Sequence, residues 1–323
     1  MLLMGLQLKA QVPAQWDTAK TELTTKLNSI NTAIQNKWDG QEYCTNFAGN
    51  LLLANSNRGY QLFSPVPPNP PAPAYQNALF AGIDTMLMAF DTLGFKAVDV
   101  TIQYPLLVDS FPNKMHYLNF YKTVIQKAKQ KGLKIIIGCQ AAFVDTTFGE
   151  HYMVQDILNH YFNPDNNPLT DDTLNNNRFR QEKLQMMQTI IDSLAPDYLT
   201  MEMEPQTQQI NLFNLVDYTV DSTIAHIAYF TSNLTINTTY LGAGAGTWDD
   251  MEFFEEIAQT DIDYIDYHIY PPHLDLIDNR AFLIDSIADA HNKKLIIGEA
   301  WCYKATLSEM GNISDPIGTS SMV

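Results

Sequence analysis

The stretch Tyr198-Leu199-Thr200-Met201-Glu202-Met203-Glu204-Pro205 has the pattern of a short apolar strand that ends in an acidic residue. A second stretch, Lys294-Leu295-Ile296-Ile297-Gly298-Glu299-Ala300-Trp301, has the same pattern near the end of the chain. An unpaired carboxylate is expensive to bury, so an acidic side chain at the end of a core strand needs a specific reason. Two such residues at the same end of one sheet predict a pair of carboxylates that face each other.

Strand-like and helical patterns alternate along the rest of the chain. The predicted strands are 47–54, 97–102, 133–139, 198–203, 240–243, 262–269 and 295–298. The predicted helices are 13–37, 75–93, 117–131, 178–194, 210–231, 249–258 and 276–291. This alternation predicts βα units in a parallel sheet, and the near-continuous apolar strands fit a sheet that is covered on both faces.

Two parallel architectures fit this order of elements, a doubly wound sheet and a (β/α)8 TIM barrel. The segment Gly242-Ala243-Gly244-Ala245-Gly246 has its third glycine at the wrong spacing for a dinucleotide-binding turn. In a TIM barrel, polar residues at the carboxyl ends of the strands build the active site. The predicted strand ends carry such residues: Asn55, Gln103, Gln140, Glu204, Trp248, His268 and Glu299. We therefore predict an α/β fold of the TIM-barrel type that lacks its last strand, since only residues 300–323 follow Glu299.

The composition limits the classes of partner. The chain has 323 residues, of which 46% are hydrophobic, and a net charge of −17 from 36 acidic and 19 basic residues. Nucleic acid and anionic membranes both require a basic surface, so neither is an expected partner. No apolar run approaches the ~20 residues of a membrane-spanning helix. The composition fits a protein that meets a neutral or cationic substrate.

The ends of the chain and its cysteines allow weaker predictions. Residues 1–11 resemble the tail of a secretory signal, although they lack its basic region, so we expect a secreted or periplasmic protein. Residues 12–323 are then expected to form a single catalytic barrel domain, truncated at its C-terminus. Cys44, Cys139 and Cys302 do not have the spacing of zinc ligands, and no cofactor is predicted.

The residues around the two glutamates resemble those of the clan A glycoside hydrolases. These are (β/α)8 enzymes with an acid/base glutamate after the fourth strand and a nucleophilic glutamate after the seventh. Glu204 and Glu299 match by strand count, Pro205 matches the usual Asn-Glu-Pro motif, and Gly298 precedes the second glutamate as it often does in the clan. Met203 departs from the pattern, because the usual asparagine at this position holds the sugar 2-hydroxyl. The resemblance implies a retaining hydrolase of oligosaccharide or polysaccharide O-glycosidic bonds, with Glu204 as acid/base and Glu299 as nucleophile.

Several other residues are candidates for contact with the sugar. His268 and Tyr270 share strand parity at the end of the sixth predicted strand, and aromatic rings such as Trp301 and Trp248 suit the apolar face of a pyranose. The remaining candidates for substrate binding are Asn55, Arg58, Gln103 and Gln140. Glu202 has the strand parity of Glu204, so we expect it one layer deeper in the barrel as a supporting residue.

Two other functions remain open at this point. Met203 and the absent last strand favour a catalytically inactive carbohydrate-binding barrel. A carboxylate pair that works with a metal ion is a third reading, although the sequence has no histidine-rich set of ligands.

Overall fold

A computed structural model describes residues 21–22, 24–29, 32, 47–55, 73–111, 114–140, 174–247, 249–269 and 279–300. The chain divides into two compact units. One comprises residues 1–41, 269–283 and 300–323, and the other comprises residues 42–268 and 284–299. In the first unit, the residues described between 21 and 32 are helical, and the Thr25 hydroxyl donates to the carbonyl of Thr21 at 2.8 Å.

The second unit contains a parallel sheet whose strands follow one another in chain order. The strands are β1 (Ala48–Asn50), β2 (Ala97–Thr101), β3 (Lys134–Gly138), β4 (Tyr198–Glu202), β5 (Tyr240–Ala245), β6 (Tyr264–Ile269) and β7 (Lys294–Ala300). The helices are α1 (Pro73–Leu93), α2 (Lys114–Gln130), α3 (Asn176–Leu194), α4 (Pro205–Asn211), α5 (Val220–Asn233), α6 (Met251–Ala258) and α7 (Ala281–Ala290). Seven parallel strands in sequential order, with helices between them, are the topology of a TIM barrel with one strand fewer in the described residues. The predicted fold class is confirmed.

The apolar strands β2 and β3 form where the sequence predicts them, and their alternate residues are fully buried. Val98 and Val100 of β2, and Ile135 and Ile137 of β3, have no exposed surface, as expected for a sheet face that is covered by helices. The helix α3 begins at Asn175, whose side-chain oxygen accepts from the N–H groups of Asn177 and Arg178 at 3.1 Å. This cap and the buried strands fix the position of β4, which follows α3 directly.

The structure differs most from the predicted elements in two places. The helix predicted over 210–231 is two helices, α4 and α5, because Phe213 and Asn214 take left-handed backbone conformations that end the first one. The Asp217 side chain accepts from the N–H of Thr219, whose own hydroxyl caps α5. The first strand is also shorter than predicted, since residues after Leu51 turn back and the N–H of Ala54 bonds the carbonyl of Leu51 at 2.7 Å. In the described part of the chain, no helix has the length and apolar character required to span a membrane.

Candidate active site

Glu204 lies just beyond β4, where the strand changes into α4. Thr200 is paired with Gly242 and Glu202 with Ala243, so β4 has one extra residue at this point. Such a bulge bends a strand and redirects the side chains that follow it. Glu204 itself has left-handed backbone angles, φ 49° and ψ 65°, which are uncommon for a residue other than glycine. Pro205 then starts α4, because its fixed φ suits the first helical position.

The bend after β4 brings the Glu204 side chain to His268 of β6. The Glu204 Oε1 lies 2.7 Å from His268 Nδ1, and both residues are buried. Gly246 leaves room for this carboxylate, since a Cβ at that position would lie 3.0 Å from Glu204 Cγ. Glu204 is therefore enclosed by the ends of β5 and β6.

Asp249 connects the loop after β5 to the start of α4. Its Oδ2 accepts from the N–H of Gly246 at 2.7 Å, and its Oδ1 accepts from the N–H of Gln206 at 3.0 Å. The sequence marks Asp249 only as the first residue of a helix, so its role in holding the backbone around Glu204 was not predicted. A carboxylate just before a helix is the one signal that the sequence offered.

His268 lies between two carboxylates. Its Nδ1 faces Glu204, and its Nε2 is 3.5 Å from Asp266 Oδ2. Burial opposes a charged imidazole, but Asp266 and Glu204 outweigh it and raise the pKa of His268 well above its ordinary value. Each ring nitrogen of His268 thus faces one acidic side chain.

Asp99, inside β2, is a further carboxyl group of this region. Burial, and then the charges of Glu299 and Asp266, raise the pKa of Asp99 well above its ordinary value. The Asn50 amide donates to Asp99 Oδ2 at 2.8 Å. The sequence analysis did not single out Asp99, although an acidic residue in the middle of an apolar strand is a visible signal.

The strand β7, which contains Glu299, runs beside His268. A Cβ added at Gly298 would lie 2.0 Å from Asp266 Oδ1 and 2.8 Å from His268 Nε2. The backbone before Glu299 therefore lies against the Asp266 side of His268, while Glu204 lies at Nδ1 of the same ring. Glu299 is partly buried. The structure thus brings the Glu204 carboxylate and the backbone at Gly298, one residue before Glu299, to the same imidazole.

Glu202 does not lie where strand parity predicts. Its side chain faces the helices, where its Oε2 is 2.8 Å from Lys183 Nζ of α3 and accepts from the Tyr218 hydroxyl at 3.1 Å. The neighbouring Met203 lies on the other side, with its Cε 2.5 Å from the position of a Cβ at Gly138. The prediction that Glu202 supports Glu204 from within the barrel is wrong, because the bulge in β4 breaks the alternation on which it depended.

Of the other residues that the sequence predicts at the site, some are buried in the structure and some lie outside the described residues. Asn55 is buried and already bonded, since its Oδ1 accepts from the N–H of Thr101 and its Nδ2 donates to Asn50, both at 2.9 Å. Gln103 and Gln140 are buried beyond the ends of β2 and β3. Arg58, Trp248, Tyr270 and Trp301 lie outside the described residues. Within the described ranges, no group of three or more His, Cys, Asp and Glu side chains is placed to hold a metal ion.

Comparisons with known proteins found similar structures only. No protein-family model and no curated protein sequence matches the chain. The structure is similar to GH5_18 from Bifidobacterium longum, at 14% identity over 70% of this chain and 50% of that chain, with a TM-score of 0.49. GH5_18 from Streptomyces cattleya, solved in complex with GlcNAc, has 12% identity over 69% and 50% of the two chains and a TM-score of 0.46. A beta-glucosidase from Thermotoga maritima, solved in complex with deoxynojirimycin, has 12% identity over 61% and 54% and a TM-score of 0.39. The chain thus spans about half the length of these solved structures.

Proposed function

We propose that this protein is a retaining glycoside hydrolase in which Glu204 is the acid/base and Glu299 the nucleophile. The observation that carries the proposal is the pair of contacts around His268. Glu204 meets Nδ1 of the ring, and the backbone just before Glu299 lies against its Nε2 side. One glutamate at the end of β4 and another near the end of β7 of a barrel suit the cleavage of an oligosaccharide or polysaccharide. We further propose that the protein is exported, as the apolar start of the chain indicates.

The reaction would proceed by two displacements at one anomeric carbon. Glu299 attacks this carbon while the bond to the leaving oxygen breaks, and Glu204 gives its proton to that oxygen. Glu204, now a carboxylate, then takes a proton from water, which attacks the glycosyl-enzyme and frees Glu299. The 2.7 Å contact between His268 Nδ1 and Glu204 Oε1 fixes the direction of the carboxyl group.

A second function is favoured by Met203, which packs against Gly138 and has no polar group to offer a sugar hydroxyl. A barrel that binds carbohydrate without cleaving it would need no acid/base, and the sugar contacts would come from other residues.

Kinetics on a panel of polysaccharides and aryl glycosides separate the two functions. We expect Glu299→Ala and Glu204→Ala each to lower kcat on an unactivated glycoside by at least about a hundredfold, since general acid catalysis alone contributes 10²–10⁴-fold. Azide should restore turnover of an activated aryl glycoside in the Glu204 variant, because a small nucleophile replaces the water that Glu204 would deprotonate. Wild-type protein that binds a polysaccharide with no turnover would support the binding function instead.

A further inference from the structure

A buried charge pair lies behind β4, on the side away from the candidate active site. Lys183 Nζ and Glu202 Oε2 are 2.8 Å apart, and neither side chain has any exposed surface. The Lys183 ammonium also lies 5.2 Å from the ring centre of Phe179 and 5.8 Å from that of Phe230. This buried lysine therefore lies against two aromatic rings and Glu202.

The carboxylate of Glu202 has further partners from the connection between α4 and α5 and from α5 itself. The Tyr218 hydroxyl donates to Oε2 at 3.1 Å, and His226 Nδ1 lies 3.7 Å from Oε1. Burial alone would raise the pKa of Glu202, but Lys183 and His226 outweigh it and lower that pKa below its ordinary value. Glu202 is thus held as a carboxylate on the helix side of the sheet.

A buried ion pair is weak evidence for stability, because the loss of hydration offsets most of the attraction between the charges. Such pairs have a better-attested use in selecting one register or conformation over another. Two registers of β4 direct Glu202 to opposite faces of the sheet. On a regular strand, Glu202 would face the barrel interior, and the extra residue in β4 turns it outward instead.

The outward turn of Glu202 has consequences for the next two residues. Met203 is directed onto Gly138, and Glu204 takes the left-handed conformation that aims its carboxylate at His268. A left-handed non-glycine residue persists only when its surroundings determine it. Glu202 is two residues away and is the nearest side chain on this strand that is held by a charged partner.

We propose that the Lys183–Glu202 pair is a positioning device, which fixes the bulge in β4 and thereby the direction of the Glu204 carboxylate. This inference rests on the proposed role of Glu204 as acid/base. Lys183 and Glu202 are positioning residues and touch no substrate.

The choice of substrate separates positioning from stability. An aryl glycoside with a good leaving group needs little help from the acid in the first step, whereas an alkyl glycoside needs it fully. In Lys183→Met, we expect kcat on the alkyl glycoside to fall at least tenfold more than the rate of aryl release, with KM little changed. Tyr218→Phe removes a single hydrogen bond to Glu202, so it should fold and show the same bias to a smaller extent. The matched control is Lys127→Met on α2, which removes a partly exposed pair with Asp84 of α1 and should change neither rate.

The double variant Lys183→Met/Glu202→Gln removes both buried charges and keeps similar volumes. We expect the double variant to be thermally more stable than Lys183→Met. Its kcat on the alkyl glycoside should still be lowered more than its rate of aryl release. Wild-type dependence on the leaving group in Tyr218→Phe and in the stable double variant would overturn the inference.

A crystal structure of the double variant tests the inference without any activity. We expect the pairing of residue 202 with Ala243, or the 2.7 Å contact between Glu204 and His268, to be lost. If both remain, the pair does not position Glu204. Full activity in Glu204→Ala would instead remove the proposed function and leave this structural result standing.

Discussion

At the scale of single residues, neighbouring charges in the candidate site shift the pKa values of two groups, His268 and Asp99. Asp266 and Glu204 raise the pKa of His268, and burial together with the charges of Glu299 and Asp266 raises the pKa of Asp99. A barrel interior with several carboxyl groups avoids the repulsion of many like charges in this way.

Asp99 gives a prediction for the pH dependence of stability. The folded state raises the pKa of Asp99 above its unfolded value of about 3.9, so between these two values the folded state binds more protons. The free energy of unfolding of the wild type should therefore fall as the pH rises from about 4 through the folded-state pKa. In Asp99→Asn, this contribution to the decrease in the free energy of unfolding should be absent, because an amide mimics the protonated acid and cannot ionise.

Urea unfolding of both proteins over a pH series measures the effect. The stability of the variant relative to wild type should increase with pH across that window. Asp84→Asn, at a partly exposed pair with Lys127, is the control for a lost surface carboxylate and should show no such trend. A constant difference between Asp99→Asn and wild type at all pH values would show that Asp99 is ionised in the folded protein.

At the scale of elements, the close approach of β7 to β6 defines the position of Glu299. Gly298 allows the approach, since any Cβ there would occupy the space of Asp266 Oδ1. The Gly298→Ala variant should be less stable by about 1–3 kcal/mol, the usual cost of overpacking a filled interior.

Activity should fall along with stability in Gly298→Ala, because the strand that carries Glu299 must shift away from His268. Thermal unfolding and kinetics check both effects. Gly82→Ala is the matched control: its Cβ meets only the end of the Leu53 side chain, and alanine favours the helix α1. If Gly298→Ala were as stable and as active as Gly82→Ala, β7 would not lie against Asp266.

The elements also show which parts of the site could be predicted from sequence. Strand counting placed Glu204 and Glu299 at the ends of β4 and β7, because apolar strands and helical periodicity are local signals. The direction of Glu202 was not predictable, since an extra residue in β4 depends on pairing with β5 and on a lysine from α3. Asp99 and Asp249 were missed because Asp99 bonds Asn50 and Asp249 bonds Gln206, and both partners are more than forty residues away in the chain.

At the scale of the whole molecule, the sheet of sequential parallel strands serves to collect side chains from distant parts of the chain. Asp99, Glu204, His268 and Glu299 come from β2, the end of β4, β6 and β7, and the carboxyl ends of parallel strands bring such residues together. The acidic surface, with a net charge of −17, suits a neutral or cationic substrate. The fold and the site thus agree with the proposed cleavage of carbohydrate by two glutamates.

The covalent intermediate is the most direct test of this account. A 2-fluoro glycoside with a good leaving group slows breakdown of the glycosyl-enzyme, so the nucleophile stays labelled and peptide mass spectrometry locates it. After a panel of such sugars has been tried on the wild type, we predict a single ester-linked label on Glu299, with the label absent in Glu299→Gln. A label on another carboxylate, or turnover of a glycoside with inversion at the anomeric carbon, would contradict the central claim.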